Sequence, residues 1–153
     1  MQRLRSVLGL LVVGVAIGAC GDDPVEADLE PCTDDTGVVT VTVTVSGGEP
    51  LVFDWEPRCE VALLLVEEDG SDQWAIATDD ATWDDPDLAN RIAPPVTYGV
   101  TPAAITDTYG PNPLGEGVTY DLVLWRILPE ESTAQCQRRL EAACLLALHS
   151  FTR

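Results

Sequence analysis

Residues 38–45 read Val-Val-Thr-Val-Thr-Val-Thr-Val. From Val39 onward valine occupies one face and threonine the other, the two-residue period of a half-buried β-strand. Ser46-Gly-Gly-Glu49 then turns the chain into Pro50-Leu-Val-Phe-Asp-Trp-Glu-Pro57, where Leu51, Phe53 and Trp55 share a face. Further strands are expected over 61–67 and 73–78, joined by an Asp69-Gly70 hairpin turn. Short ones follow near 96–100 and 105–109, and clear ones over 119–128 and 145–152. The last two are separated by PEESTAQCQRRLEAAC (129–144), where Ser132 and Gln135 form the capping box of a short helix. Residues 79–95, DDATWDDPDLANRIAPP, carry charges, three prolines and no period, and read as a loop. About seven short strands divided by turn residues predict an all-β chain folded as a β-sandwich.

One spacing sharpens that class. Leu114-Gly-Glu-Gly117-Val-Thr-Tyr120 has the L-x-x-G-x-x-Y pattern that leads into a late strand of fibronectin type III domains. Trp55, in the second strand, resembles the buried tryptophan of the same family. The resemblance covers residues 37–153 and implies an immunoglobulin-like sandwich in which Tyr120 forms a tyrosine corner, its hydroxyl bonded to backbone a few residues upstream. PPVTYGVTP (94–102) followed by this spacing also resembles small bacterial lipoproteins with such domains. This superfold hosts many functions, so the resemblance implies no chemistry.

The first residues are MQRLRSVLGLLVVGVAIGAC. Arg3 and Arg5 precede an uncharged run, Ser6 to Ala19, that falls short of the roughly 20 apolar residues needed to span a bilayer. A positive flank, a short apolar run and small residues at its end describe a secretory signal peptide over 1–19. Ile17-Gly18-Ala19-Cys20 resembles the lipobox of bacterial lipoproteins, which implies cleavage before Cys20 and a diacylglycerol on its thiol. Two or more acyl chains, at about 0.8 kcal/mol per CH₂, hold a protein on a membrane durably. The competing reading is an ordinary signal peptide followed by a chance cysteine. Residues 20–36 are acidic and contain prolines, as a flexible tether would. The expected location is therefore the bacterial cell envelope, lipid-anchored and extracytoplasmic, at the outer membrane where one exists.

The chain has 26 Asp and Glu against eight Lys and Arg, a formal charge of −18, and every base is arginine. Such a surface repels phosphate backbones, which excludes nucleic acid as a partner. With Cys20 set aside, Cys32, Cys59, Cys136 and Cys144 remain, without zinc spacing, in a chain expected to be exported; they read as two disulfides. Cys32 and Cys59 flank the open end of the first hairpin and are expected to pair. Cys136 and Cys144 lie in one connection; a continuous helix would hold them about 12 Å apart, so the helix must end before Cys144 if they pair. All four gather at one end of a sandwich, so a Cys59–Cys136 cross-pairing remains open.

No nucleophile elbow, zincin motif or phosphate loop is present, and His149, the only histidine, lacks recognisable partners. The chain is expected not to be an enzyme and to need no cofactor. Loop aspartates Asp79, Asp80, Asp84, Asp85 and Asp87 raise calcium, which takes six to eight oxygens, but none follows the EF-hand spacing. Trp125 is in phase with Val123 and Ile127 and reads as core. Trp83, in the acidic loop, is a candidate contact residue. The leading expectation is a non-catalytic binding or structural module meeting an envelope protein or glycan through its loops; the alternative is a calcium-dependent adhesion or sensing domain.

Overall fold

A computed structural model describes residues 29, 32–34, 37–38, 41–103, 105–128 and 143–153. In chain order the strands are β1 (Thr33–Asp34), β2 (Gly37–Val38), β3 (Thr42–Ser46), β4 (Val52–Glu56), β5 (Leu63–Glu68), β6 (Ser71–Ala77), β7 (Val96–Thr97), β8 (Asp107–Tyr109), β9 (Thr119–Ile127) and β10 (Ala143–Thr152), with one short helix, α1 (Pro86–Ala89). Beside the small β1–β2 pair stand two antiparallel sheets. One is ordered β3-β4-β7, the other β10-β9-β5-β6-β8. This is the expected all-β sandwich.

Alternation places the core. Val41 and Val43 are buried while Thr42 and Thr44 face water, and Leu51, Phe53 and Trp55 are buried on the partner strand. Opposite them the larger sheet presents Leu64, Val66, Trp74, Ile76, Leu122, Leu124 and Phe151. Each aliphatic side chain buried this way stabilises the fold by about 1.5–3 kcal/mol relative to exposure. At the centre Phe53 stacks with Trp74 (6.3 Å between centroids) and meets Phe151 edge-on (5.6 Å). The β5–β6 hairpin closes at Asp69 and Gly70 with φ of 49° and 78°. Two positive φ values in succession fit a two-residue turn whose twist matches the strands.

β9 is buried on both faces. Tyr120, Leu122 and Leu124 point into the sandwich, whereas Val123, Trp125 and Ile127 belong to a second apolar cluster with Ala62, Leu65 and Ala89. Trp125 is therefore core, on the outer side of the sheet. Its cover includes Ala89 and Trp83 of the segment 79–95, which the sequence reads as structureless. That segment instead holds a 3₁₀ turn over Asp80–Thr82, α1 and a backbone bridge from Ile92 to Val61.

The folded unit also starts earlier than residue 37. Cys32 is fully buried within the main core, and Thr33–Asp34, inside the stretch expected to be tether, pairs with Gly37–Val38 just beyond it. Residues 1–19, expected to be a signal peptide, Cys20, and residues 129–142, where a short helix is expected, lie outside the described residues.

Candidate functional site

The acidic segment is held in place by buried polar groups rather than by its carboxylates. Asn90, 3% exposed, donates from Nδ2 to the carbonyls of Ile127 (2.9 Å) and Pro86 (2.7 Å), and its Oδ1 accepts the Ile127 N–H (3.0 Å). Thr78 Oγ1 donates to the Ala89 carbonyl at 2.6 Å and accepts from the indole N–H of Trp83 at 3.2 Å. Ile92 is wholly buried in the main core. Repulsion between exposed aspartates costs under about 1 kcal/mol per pair at physiological salt, so burial and bonds of this size outweigh it.

Two of the candidate ligands have ordinary duties. Asp79 Oδ1 accepts the Ala81 N–H at 3.0 Å, and Asp85, the N-cap of α1, accepts the Asp87 N–H at 3.0 Å, with Pro86 at the first helical position. Asp84, Asp85 and Asp87 are exposed, and the side chain of Asp80 lies outside what is described. No group of three or more acidic, histidine or cysteine side chains that would hold a metal occurs among the described residues. Trp83 is half-buried and packs against the outer cluster, its N–H already bonded to Thr78. It serves the segment as an anchor.

Cys32 and Cys59 are joined, with their Cα atoms 5.5 Å apart. That bond excludes the Cys59–Cys136 alternative. Cys136 lies outside the described residues, and Cys144 is placed by its backbone alone, opposite Arg126 at the start of β10. Trp55 supports the bridge directly, since its indole N–H donates to the Cys59 carbonyl at 2.9 Å. Nearby, Arg58 pairs with Asp54 at 3.6 Å and donates to the Pro94 carbonyl at 2.8 Å, fastening the end of the acidic segment to the disulfide end. Arg126 donates to the Glu60 carbonyl. Burial lowers its pKa, opposed by the charges of Glu60 and Asp87.

At the other end stands the corner. Tyr120, 2% exposed, accepts the Gly115 N–H on its hydroxyl at 2.8 Å. The hydroxyl bonds upstream backbone as the Leu114-x-x-Gly117-x-x-Tyr120 spacing implies, but it receives the proton. Leu114 packs on the main core, and Gly117 takes φ of 74° at the turn into β9, a conformation that favours glycine. Tyr98 OH donates to the Asn112 carbonyl at 2.6 Å. Burial pushes its pKa up to about 12, helped by Tyr120 and opposed by Arg153.

Beside this corner a cleft of about 540 Å³ opens between the β3–β4 turn and the end of β10. Val45, Leu51 and Phe151 supply apolar walls, Gly47 and Gly48 bare backbone, and Glu49, Glu116 and Arg153 charge. Arg153 Nη2 donates to Glu49 Oε1. Sequence reasoning missed the cleft because its walls come from three separated stretches.

No family model, curated protein or solved structure matches the chain. The functional reading therefore rests on its own residues. His149 is half-buried on β10 opposite Leu122.

Proposed function

We propose that the chain is a lipid-anchored extracytoplasmic protein whose sandwich acts as a non-catalytic binding or structural module of the bacterial cell envelope. The observation that carries this reading is the Cys32–Cys59 disulfide, buried at the point where the acidic stretch after Cys20 meets the first sheet. Disulfides persist in exported proteins and are rare in a reducing cytoplasm. A buried bridge in the domain thus favours the signal-peptide reading of residues 1–19 and the lipobox reading of Cys20. The sheet order β3-β4-β7 against β10-β9-β5-β6, with β8 added at the edge beside β6, the buried Trp55 and the Tyr120–Gly115 bond support the finer reading of a fibronectin type III-like domain.

The partner in this reading is a protein or glycan of the envelope, met by loops and strand ends, because the interior between the sheets is filled by large side chains. Calcium has less support, since Asp79 and Asp85 spend an oxygen each on capping backbone. The test is detergent phase partitioning after expression in a bacterial host. The native chain should enter the detergent phase, and Cys20→Ser should stay aqueous or uncleaved. Equal partitioning of the two, both cleaved, would defeat the proposal.

A further inference from the structure

We infer that the cleft formed by Gly47, Gly48, Glu49, Glu116 and Phe151 binds an amphipathic monocation of side-chain size, such as an arylalkyl ammonium or a lysine or arginine presented by a partner. The inference rests on the envelope-module reading only for the direction the cleft faces; its chemistry stands on the site itself.

Size comes first. About 540 Å³ lies within the roughly 300–1,000 Å³ of small-ligand sites, well above a crevice that holds only water. The walls decide what enters. Val45, Leu51 and Phe151 offer apolar surface, and a Cβ placed on Gly47 or Gly48 would meet nothing within 4 Å, so the backbone there is open to approach. Charge decides the sign. Glu49 is already matched by Arg153, whereas Glu116 has no charged partner among the described residues. The walls therefore keep one uncompensated negative charge, within the field of a chain of net charge −18. A cation with an apolar body satisfies both features; an anion of the same shape meets the walls but not the charge.

Position makes the site useful. Thr42 of β3 pairs with Glu56, close to Cys59, while Ser46 pairs with Val52 at the opposite end of the hairpin, beside the Gly47-Gly48 turn. The cleft is thus at the pole away from the Cys32–Cys59 bridge. In a protein tethered through Cys20, the chain enters the domain at the bridge, which leaves this opposite pole free to face away from the membrane. Its frame is firm, because the Arg153 backbone donates to the Val118 carbonyl and accepts the Gly117 N–H.

The test uses the full processed chain, isotope-labelled, in a neutral detergent, titrated with phenethylammonium and followed by amide NMR. A second arm uses a short acetylated Phe-Lys amide peptide, and a control uses hydrocinnamate, the anion of similar shape. Saturable shifts at Gly47, Gly48, Glu116 and Thr152 are expected with both cations and absent with the anion. Tighter binding of the peptide assigns the cleft to a protein partner, and tighter binding of the free amine to a small ligand. Glu116→Gln should weaken binding about threefold, the ratio one charge contact supplies at an exposed carboxylate. Gly48→Leu, which fills open space without backbone strain, should abolish it. Equal shifts from hydrocinnamate, no saturable shift, or unchanged binding by Glu116→Gln would overturn the inference. Detergent partitioning read on the same preparation keeps failure of the anchor distinct from failure of the cleft.

Discussion

Asn90 meets Ile127 as one strand residue meets another, donating to its carbonyl at 2.9 Å and accepting its N–H at 3.0 Å. A side chain thereby completes the backbone pairing of β9 where the sheet ends, and ties the acidic segment to the outer face of that sheet. Asn90→Ala would strand the Ile127 N–H and carbonyl in a buried site. Each unsatisfied buried group costs about 1–3 kcal/mol, so a loss of about 3 kcal/mol is expected in denaturant melts. Asn90→Asp should cost a similar amount, because it keeps the acceptor but places a carboxylate against two carbonyls. A neutral result for both would mean the segment is held by packing alone.

How much of this was legible follows from the same contrast. The alternation of Val41 and Val43 with Thr42 and Thr44, and of Leu51, Phe53 and Trp55, announces half-buried strands because side chains alternate across a pleat. The hairpin made from those strands places Cys32 and Cys59 together. Burial of β9 on both faces is harder to read, since Val123, Trp125 and Ile127 look like inner core by phase alone. The segment 79–95 hid its structure behind charge. Asp85-Pro86 is an N-cap followed by proline at the first helical position, a local helix-start signal that the surrounding charges and prolines mask. Thr78 and Asn90 gave no local sign, because their partners lie in distant strands or across the segment. The Glu49–Arg153 cleft depends on tertiary contacts throughout.

Tyr120→Phe removes the acceptor of the Gly115 N–H. Gly115 is itself exposed, so water can replace much of the bond, and a loss of about 1 kcal/mol is expected by chemical denaturation with the fold retained. Tyr120→Ala, which also empties buried volume, should cost about 3–5 kcal/mol by analogy with other large aromatic truncations. Equal stability of Tyr120→Phe and the native chain would remove the corner from the account of this turn.

The raised pKa of Tyr98 sets an alkaline limit. Its phenol titrates near 10.0 when unfolded and at about 12 in the fold, so the folded state favours the protonated form. That contribution is fully present below pH 10 and is lost as pH rises from 10 to 12. Phenolate absorbance should show one tyrosine titrating late, and Tyr98→Phe should remove that step and flatten the fall in stability over the same range. A late step that survives in Tyr98→Phe would assign it to another residue.

The Cys32–Cys59 bridge closes a loop of 27 residues by sequence separation. A loop of that size is worth about 3–4 kcal/mol in the chain-entropy model. Unfolding with and without reductant should differ by that order. Trp55 fluorescence should change on reduction, because its indole N–H is bonded to Cys59 itself. Peptide mapping without reductant is expected to recover Cys32–Cys59 and, as a second pair, Cys136–Cys144. Recovery of a peptide joining Cys59 to any other cysteine would contradict the structure.

The central claim is that a disulfide-bonded sandwich is exported and held on a membrane through Cys20. Intact-mass spectrometry of the protein extracted from bacterial membranes tests it most directly. The account predicts a mature chain beginning at Cys20, carrying diacylglycerol on that residue, with Cys32 and Cys59 oxidised. A soluble chain that still begins at Met1, unmodified at Cys20 and fully reduced, would contradict it.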